Sequence, residues 1–534
     1  MRRADLFAGI SIAGLMLPEA VAYASIAGLA PGRAILAAIV GCLVYAMAGR
    51  SRFAIVSPTS ASAAILAAAL AAMPGDAALR GVYATVAVAM AGGLFLVARV
   101  LKLGGLTGFV ARPVLRGFAF GLAITIILRQ IPALAGVEVA GSNIGQLAIG
   151  LVRAMPQWDF ASVATGLVAL VVLLALRRVP KVPAAFVVLA LGILASRALH
   201  LPQHGVAVIG MIDVTPAWPV LPHLPFNTLS HLLQLVFPLV LILLAESWGT
   251  MRALALRHGD MIEPNRELGA LGLANLASAL VQGMPVAAGF SAGSASEAAG
   301  AATRWTGVIA ALGLATLAFA ATPLIAELPR PVLAAVVIAA LTHALDLTPL
   351  IRLWRLDRDQ YIGVAAATGV LMFGVLDGML LAVALSVAAL IRRLATPPLI
   401  QLGRLGDSHD YVDIARHPEA VIPAGVAIWR PAEPLFFANA EQVLGTIEQR
   451  LCAQPGLHAV VVSLEESFDL DSTALDALIE FDARLCKSGM TLRLARVHDP
   501  VRDLLTVAGA ETLVQRSNYS VDDAVNAIDA KASA

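Results

Sequence analysis

Up to about residue 400, this chain returns again and again to nearly uncharged runs of roughly 20 residues, the length a helix needs to cross about 30 Å of hydrocarbon. Such windows lie near 6–26, 32–48, 81–100, 111–131, 161–177 and 182–199, and again near 231–253, 264–282, 304–321, 331–346, 360–376 and 377–393. Between the second and third members of each set sits a shorter stretch rich in Ala, Ser and Gly, 58–72 and 289–300. With these the count is fourteen, as seven plus seven. A chain that is 59% hydrophobic and 14% charged cannot be an ordinary soluble protein, in which about a quarter of residues are charged. The expected fold is therefore a polytopic α-helical membrane protein.

Orientation follows from the basic residues. With the N-terminus inside, about twenty fall on the cytoplasmic side, among them Arg2, Arg3, Arg50, Arg99, Arg177, Arg178, Lys181, Arg257, Arg358, Arg392 and Arg393. Six, Arg33, Arg80, Arg129, Arg153, Arg197 and Arg330, fall outside. Seven spans per half make the second half enter from the opposite side, so the repeats are inverted, an arrangement typical of secondary transporters. The start, Met1-Arg2-Arg3 with Ala22-Tyr23-Ala24 downstream, imitates a cleaved signal, but Pro18-Glu19 interrupts the apolar run and further spans follow. It reads better as the first membrane helix.

Beyond residue 400 the composition is that of a soluble domain. The net charge of +1 hides roughly ten excess basic residues before this point and roughly nine excess acidic ones after it. After Thr396-Pro397-Pro398 comes a polar linker, then strand-like runs at Val426–Trp429, Leu435–Phe437, Val460–Leu464 and Met490–Ala495. Helical patterns occupy Glu441–Leu451, Ser472–Lys487, Val501–Val507 and Val521–Ile528. The alternation predicts a small cytoplasmic α/β unit. Cys42, Cys452 and Cys486 share no metal or redox spacing and read as apolar filler.

The two short stretches carry the chemistry. In Ser57-Pro58-Thr59-Ser60-Ala61-Ser62, Ser57 suits the N-cap and Pro58 the first helical position, which leaves the N–H groups of Thr59, Ser60 and Ala61 without partners. In Gly289-Phe290-Ser291-Ala292-Gly293-Ser294, Gly289 permits close backbone approach and leaves the N–H groups of Phe290, Ser291 and Ala292 equally free. Two such helix starts, aimed at each other near the midplane, form an anion site. Small residues also permit close helix packing, but the matched pair favours the site. Glu19 and Glu246, ionisable groups at membrane depth, are the candidate proton or cation sites. Tyr23, one turn beyond Glu19, is a candidate cavity residue, whereas Glu297 and Asp346 sit nearer helix ends and read as interfacial. An anion entering a negative-inside cell works against about 2.3 kcal/mol per charge per 100 mV, so uptake needs co-moved positive charge or exchange for another anion.

These residues resemble the SulP-type anion transporters, the sulfate permease superfamily with a C-terminal STAS domain. The resemblance runs from Leu17-Pro18-Glu19-Ala20-Val21-Ala22-Tyr23-Ala24 to Leu470-Asp471-Ser472-Thr473-Ala474-Leu475. It includes Gly49-Arg50-Ser51-Arg52, Asn265-Arg266-Glu267-Leu268, Gly272-Leu273-Ala274-Asn275 and Gly283-Met284-Pro285-Val286. It implies a transporter domain over residues 1–400, with repeats of about 1–200 and 228–400, and a STAS domain over 415–534. It also implies core and gate subdomains, elevator-like motion and a homodimer in the cytoplasmic membrane, with both termini cytoplasmic. The substrate site would then lie at Thr59–Ala61 and Phe290–Ala292, and the acidic coupling position at Glu246. Many members carry Gln after the first-span proline, while some proton-coupled bacterial members have an acid, as Glu19 is here. Several carry Arg just after the serine of the tenth helix, where this chain has Ala292; without that cation a carboxylate is the better-founded cargo than sulfate or chloride. Ser472 stands where related STAS regulators are phosphorylated, although capping its helix is the simpler role.

The expected function is secondary active transport of a small inorganic or organic anion (a carboxylate or dicarboxylate, sulfate or bicarbonate), with H+ or Na+ as coupling ion and no other cofactor. No P-loop, dinucleotide fingerprint, zinc spacing or basic nucleic-acid stripe occurs, so neither an enzyme nor a nucleic-acid partner is expected. Exchange, a channel of the same fold and a membrane-anchored STAS sensor are the alternatives, to be separated by flux and current measurements.

Overall fold

The computed structural model describes residues 3–108, 112–139, 144–176, 184–211, 213–216, 218–219, 224–320, 322–356, 360–454 and 456–532. Arg2, Arg177, Arg178, Lys181 and Arg358, used above for orientation, lie outside them. The chain divides into two units, Met1–Ser386 and Val387–Ala534.

Each expected window holds a helix. The first half contains α1 (Arg3–Ala27), α2 (Pro31–Ala48), α3 (Ser60–Ala71), α4 (Ala77–Val100), α5 (Arg112–Ala135), α6 (Phe160–Leu176) and α7 (Ala184–Ala198). The second contains α8 (Phe226–His258), α9 (Pro264–Leu280), α10 (Phe290–Ala298), α11 (Trp305–Ala320), α12 (Arg330–Leu341), α13 (Gln360–Phe373) and α14 (Val375–Ala395). Shorter helices at Ile144–Ala154, Thr322–Ala326 and Thr348–Leu356 were not foreseen. By length and hydropathy alone, five described helices can cross a membrane, or six if the bent pair Ile144–Gln157 and Phe160–Leu176 is one span. The stretches before α3 and α10 are extended: β1 (Val56–Ser57) pairs antiparallel with β2 (Ala287–Ala288), Val56 opposite Ala288 and Ser57 opposite Ala287.

The packing obeys a two-fold rule. Helix α2 packs on α11 as α9 packs on α4, α1 on α10 as α8 on α3, and α5 on α13 as α12 on α6. The elements that such an axis would map onto each other, α2 with α9, α5 with α12 and β1 with β2, touch directly. Glycines allow the closest crossings. A Cβ on Gly92 of α4 would lie 2.9 Å from the Gly272 carbonyl of α9, and one on Gly272 would lie 3.0 Å from the Gly92 carbonyl. On α5, a Cβ on Gly117 would fall 1.9 Å from the Gly363 carbonyl of α13. Bare backbone on both sides is what lets apolar helices, lacking any hydrophobic drive toward each other in lipid, pack by van der Waals contact.

The second unit holds a five-stranded sheet. Its strands are β3 (Leu399–Arg404), β4 (Tyr411–Asp413), β5 (Val426–Pro431), β6 (Ala459–Ser463) and β7 (Thr491–Ala495), in the order β4-β3-β5-β6-β7. Strand β3 is antiparallel to β4 and β5, while β5, β6 and β7 are parallel. Helices α15 (Ala440–Cys452), α16 (Ser472–Lys487), α17 (Asp499–Val507) and α18 (Glu511–Gln515) bury Leu444, Leu478, Phe481, Leu505 and Leu513 in one core, and α19 (Val521–Ala532) closes another with Ala524 and Val525. Three expectations are corrected. The linker after Pro398 forms β3 and β4, with Ile400 and Leu402 of β3 packing into one core and Leu399, on the opposite face, against the other. Leu435–Phe437 is not a strand: its N–H groups go to Ser467 Oγ, Asn439 Oδ1 and Asp471 Oδ2. Cys452 and Cys486 are exposed and so do not fill a core.

Candidate functional site

The first short stretch opens its helix two residues later than expected. Ser57 lies in β1, and the N-cap is Thr59, whose backbone is extended (φ −123°, ψ 160°). Thr59 and Ser62 form a reciprocal capping box: the Ser62 N–H donates to Thr59 Oγ1 at 3.2 Å, and the Thr59 N–H donates to Ser62 Oγ at 3.0 Å. The expectation of a free Thr59 N–H is therefore wrong, and only the Ser60 and Ala61 N–H groups remain available at that end. In the second stretch Gly289 is the N-cap and offers no side chain, so Phe290, Ser291 and Ala292 keep free first-turn N–H groups. Both stretches lie inside the protein: Ser57 is 5% exposed and Gly289 is buried.

The two helix starts are neighbours across the β1–β2 pair. A Cβ built on Gly289 would lie 3.1 Å from Thr59 Cγ2 and 3.6 Å from Glu246 Oε1. Glu246, halfway along α8, accepts a 2.9 Å hydrogen bond from the Thr59 hydroxyl, so that one hydroxyl caps α3 and binds a carboxyl. Ser291 on α10 donates to Glu19 Oε1 of α1 at 3.3 Å. The pattern is crossed: the first-half carboxyl meets the second-half helix start, and the second-half carboxyl meets the first. Tyr23 is buried beside the same carboxyls, close enough for their charges to act on it. Ser60 and Ser291 are half-buried, Ala61 and Ala292 are buried, and the Phe290 ring is exposed.

Residues to which sequence reasoning gave no supporting role hold this assembly. The side chain of Asn275 on α9, itself fully buried, accepts from the Val286 N–H at 3.0 Å and donates to the Val286 and Leu271 carbonyls at 3.0 and 2.9 Å. Cys42 on α2 donates to the Val56 carbonyl at 3.2 Å. Cys42 and Asn275 each stand eleven residues after the proline that opens their helix, so the two halves anchor their strands from matching positions. Ser247 accepts the Ala288 N–H at 3.0 Å, fixing β2 directly beside Glu246. Farther away, Glu267 on α9 accepts from Tyr45 (2.7 Å) and from the Arg50 N–H (3.0 Å), and Asp5 takes the N–H groups of Ala302 and Thr303. A polar side chain inside an apolar span was the available signal for Asn275 and Glu267. Glu297 pairs with Arg257 and His258, and Asp346 accepts from the Thr348 N–H, both at helix ends as expected.

In the second unit, Asp471 rather than Ser472 caps α16, accepting from the Ala474 N–H at 2.8 Å. Ser472 is the first helical residue and its side chain is exposed. Arg404 and His409 each reach Asp522 at 2.7 Å. Burial pulls the Asp522 pKa upward, but the His409 hydrogen bond and the Arg404 charge outweigh it and hold the carboxyl below its ordinary value. Among the described residues no group of His, Cys, Asp or Glu is arranged to hold a metal ion.

Inverted halves, paired half-helix starts and carboxyls buried between them define a membrane transporter with an appended STAS domain. The chain belongs to the sulfate permease family, whose model matches residues 3–367, while the STAS domain model matches residues 417–524. A probable sulfate transporter of Mycobacterium tuberculosis (strain CDC 1551 / Oshkosh) is 32% identical over 518 residues, covering 95% of this chain and 91% of that protein. The fold matches the murine Solute Carrier 26 family member A9 anion transporter in its inward-facing state, with a TM-score of 0.89 at 19% identity over 99% of this chain and 91% of that one. It also matches the transmembrane domain of the cyanobacterium bicarbonate transporter BicA, with a TM-score of 0.62 at 22% identity over 71% of this chain and 97% of that one.

Proposed function

We propose that the protein is a secondary active transporter, not an enzyme, that moves a small anion across the cytoplasmic membrane together with protons. In this reading the fourteen helices are its spans, both termini are cytoplasmic, and the chains work as homodimers. Relatives named for sulfate, and fold neighbours named for anions and bicarbonate, support an anionic cargo. The observation that carries the reading is the adjacency of two helix starts with free N–H groups, each with one carboxyl hydrogen-bonded to its own hydroxyl.

Magnitudes decide how such a site works. Two helix ends together favour an anion by about 0.6–4 kcal/mol. A single ionised carboxylate on the order of 5 Å from the cargo opposes it by about 3 kcal/mol at an effective dielectric of about 20. Two ionised carboxylates oppose it by about 6 kcal/mol, more than the helix ends supply, so the site holds an anion once protons reach its carboxyls, and release of those protons expels the cargo. Ser60, Ala61, Phe290, Ser291 and Ala292 supply backbone donors, Thr59 positions Glu246, and Tyr23 lines the cavity. The block bearing α3 and α10 moves against α5–α7 and α12–α14 in an elevator-like step. Ser472, exposed at the start of α16, is open to modification, and the STAS domain serves assembly or regulation.

The test is uptake of labelled anion by proteoliposomes under an imposed pH gradient. Glu19→Gln and Glu246→Gln should each weaken pH-driven uptake, to a shallower dependence or to none, while keeping the wild-type melting profile. Undiminished pH dependence in both variants would remove the coupling role. Sodium-driven uptake at fixed pH would replace H+ by Na+.

A further inference from the structure

The crossed arrangement of the two carboxyls bears on stoichiometry, on the reading of the site given above. Each pole pairs one helix start with one protonatable group: Ser60 and Ala61 N–H with Glu246, and Phe290, Ser291 and Ala292 N–H with Glu19. Neither carboxyl has a Lys, Arg or His partner among the described residues; their bonds are to the hydroxyls of Thr59 and Ser291. Position 292, beside the serine of α10, holds a buried alanine.

Among the described residues no basic group acts on either carboxyl, and on their own helices Asp5, His231, Arg252, Arg257 and His258 stand six or more residues away. Helix α1 packs against α2, α3, α7, α10, α11 and α12, and α8 packs against α3, α4, α9 and α10. Of these, α3 and α11 carry no charged residue. The charged residues of the others, Arg33, Arg80, Arg99, Arg197, Arg266, Glu267, Glu297 and Arg330, lie in first or last turns, away from the half-helix starts. The one charged group among the described residues that acts on Glu19 is Glu246, and both carboxyls act on Tyr23. A cargo entering here meets two carboxyls with no basic partner among the described residues, and protons binding to them remove the opposing charge.

We infer that each transport cycle carries two protons, one on Glu19 and one on Glu246, together with one divalent anion, so that the loaded site crosses the membrane without net charge. The protons bind from one compartment as the anion seats and leave to the other when it departs. No bond in the cargo changes. A dicarboxylate and sulfate share the required charge, and separate arms of the test distinguish them.

The experiment measures static accumulation of labelled succinate, and in a second arm labelled sulfate, by the full-length protein in liposomes. The pH gradient and the potassium diffusion potential are clamped independently. With two protons per dianion, accumulation rises about 100-fold per pH unit of gradient and ignores the potential. One proton per dianion gives about tenfold per pH unit, and accumulation then falls as the interior becomes negative. The wild-type slope in the arm that transports decides the matter without any variant, and a tenfold slope or a potential-sensitive plateau overturns the inference. Glu19→Gln and Glu246→Gln each leave one protonatable group; any residual slope in either variant should be the tenfold one, and a 100-fold slope in either overturns the assignment of protons to residues. Anion flux without any pH coupling would instead overturn the underlying symport reading.

Discussion

Replacing Asn275 by leucine tests whether the site is held by its backbone supports. The substitution keeps the approximate volume but removes three hydrogen bonds, two of them to Val286, whose N–H and carbonyl otherwise lie buried just ahead of β2. An orphaned buried backbone group costs about 1–3 kcal/mol, so the two on Val286 sum to about 2–6 kcal/mol. Hydrogen bonds between helices in bilayers average about 0.6 kcal/mol by double-mutant cycles, which sets the floor. Val286 should sit toward the upper range, because its strand-like backbone has no helical partner within its own segment. The assay combines thermal unfolding in detergent with proteoliposome uptake. Asn275→Leu should lower the melting midpoint by several degrees and depress uptake strongly. Asn275→Asp, which keeps the acceptor for the Val286 N–H, should fall between it and wild type. A leucine variant with wild-type melting and uptake would refute the claim that this amide holds the start of α10.

Two further outcomes follow from packing and charge. Gly117→Ala places a methyl group on the Gly363 carbonyl and should cost about 1–3 kcal/mol through overpacking, read as a reduced yield of monodisperse protein and a lower melting midpoint. In the STAS domain, Asp522 has a folded pKa below its unfolded value near 3.9. Its contribution to stability is therefore complete above that unfolded value and is lost as pH falls through the lower folded one. Hydrogen exchange of the full-length protein should show β3 and α19 losing protection over that acid range, and Asp522→Asn should flatten the trend.

Much of this fold was legible because lipid imposes one simple rule, that a spanning segment be apolar and internally hydrogen-bonded. The fourteen windows all became helices, and both interrupted stretches became short helices that start inside the protein. The details escaped where local rules compete. Ser57 is as good a cap as Thr59, but strand pairing with β2 claims Ser57, and the capping box with Ser62 is open only to Thr59. The same choice ties up the Thr59 N–H, which no propensity argument reveals. Glu19 and Glu246 stood out as charges in lipid, whereas their hydroxyl partners are 272 and 187 residues away in sequence. In the tail, Asp471 outcompetes Ser472 as a cap because one carboxylate serves both the Ala474 and the Phe437 N–H groups.

The pairing of Val56 with Ala288 has a consequence for biogenesis. The chain emerges from the ribosome N-terminus first, so β1, just ahead of α3, must wait without its strand partner until the second half arrives. A fragment ending before residue 287 should stay an incomplete insertion intermediate, and the two halves, if severed, should recover their shape only when synthesised in the same cell.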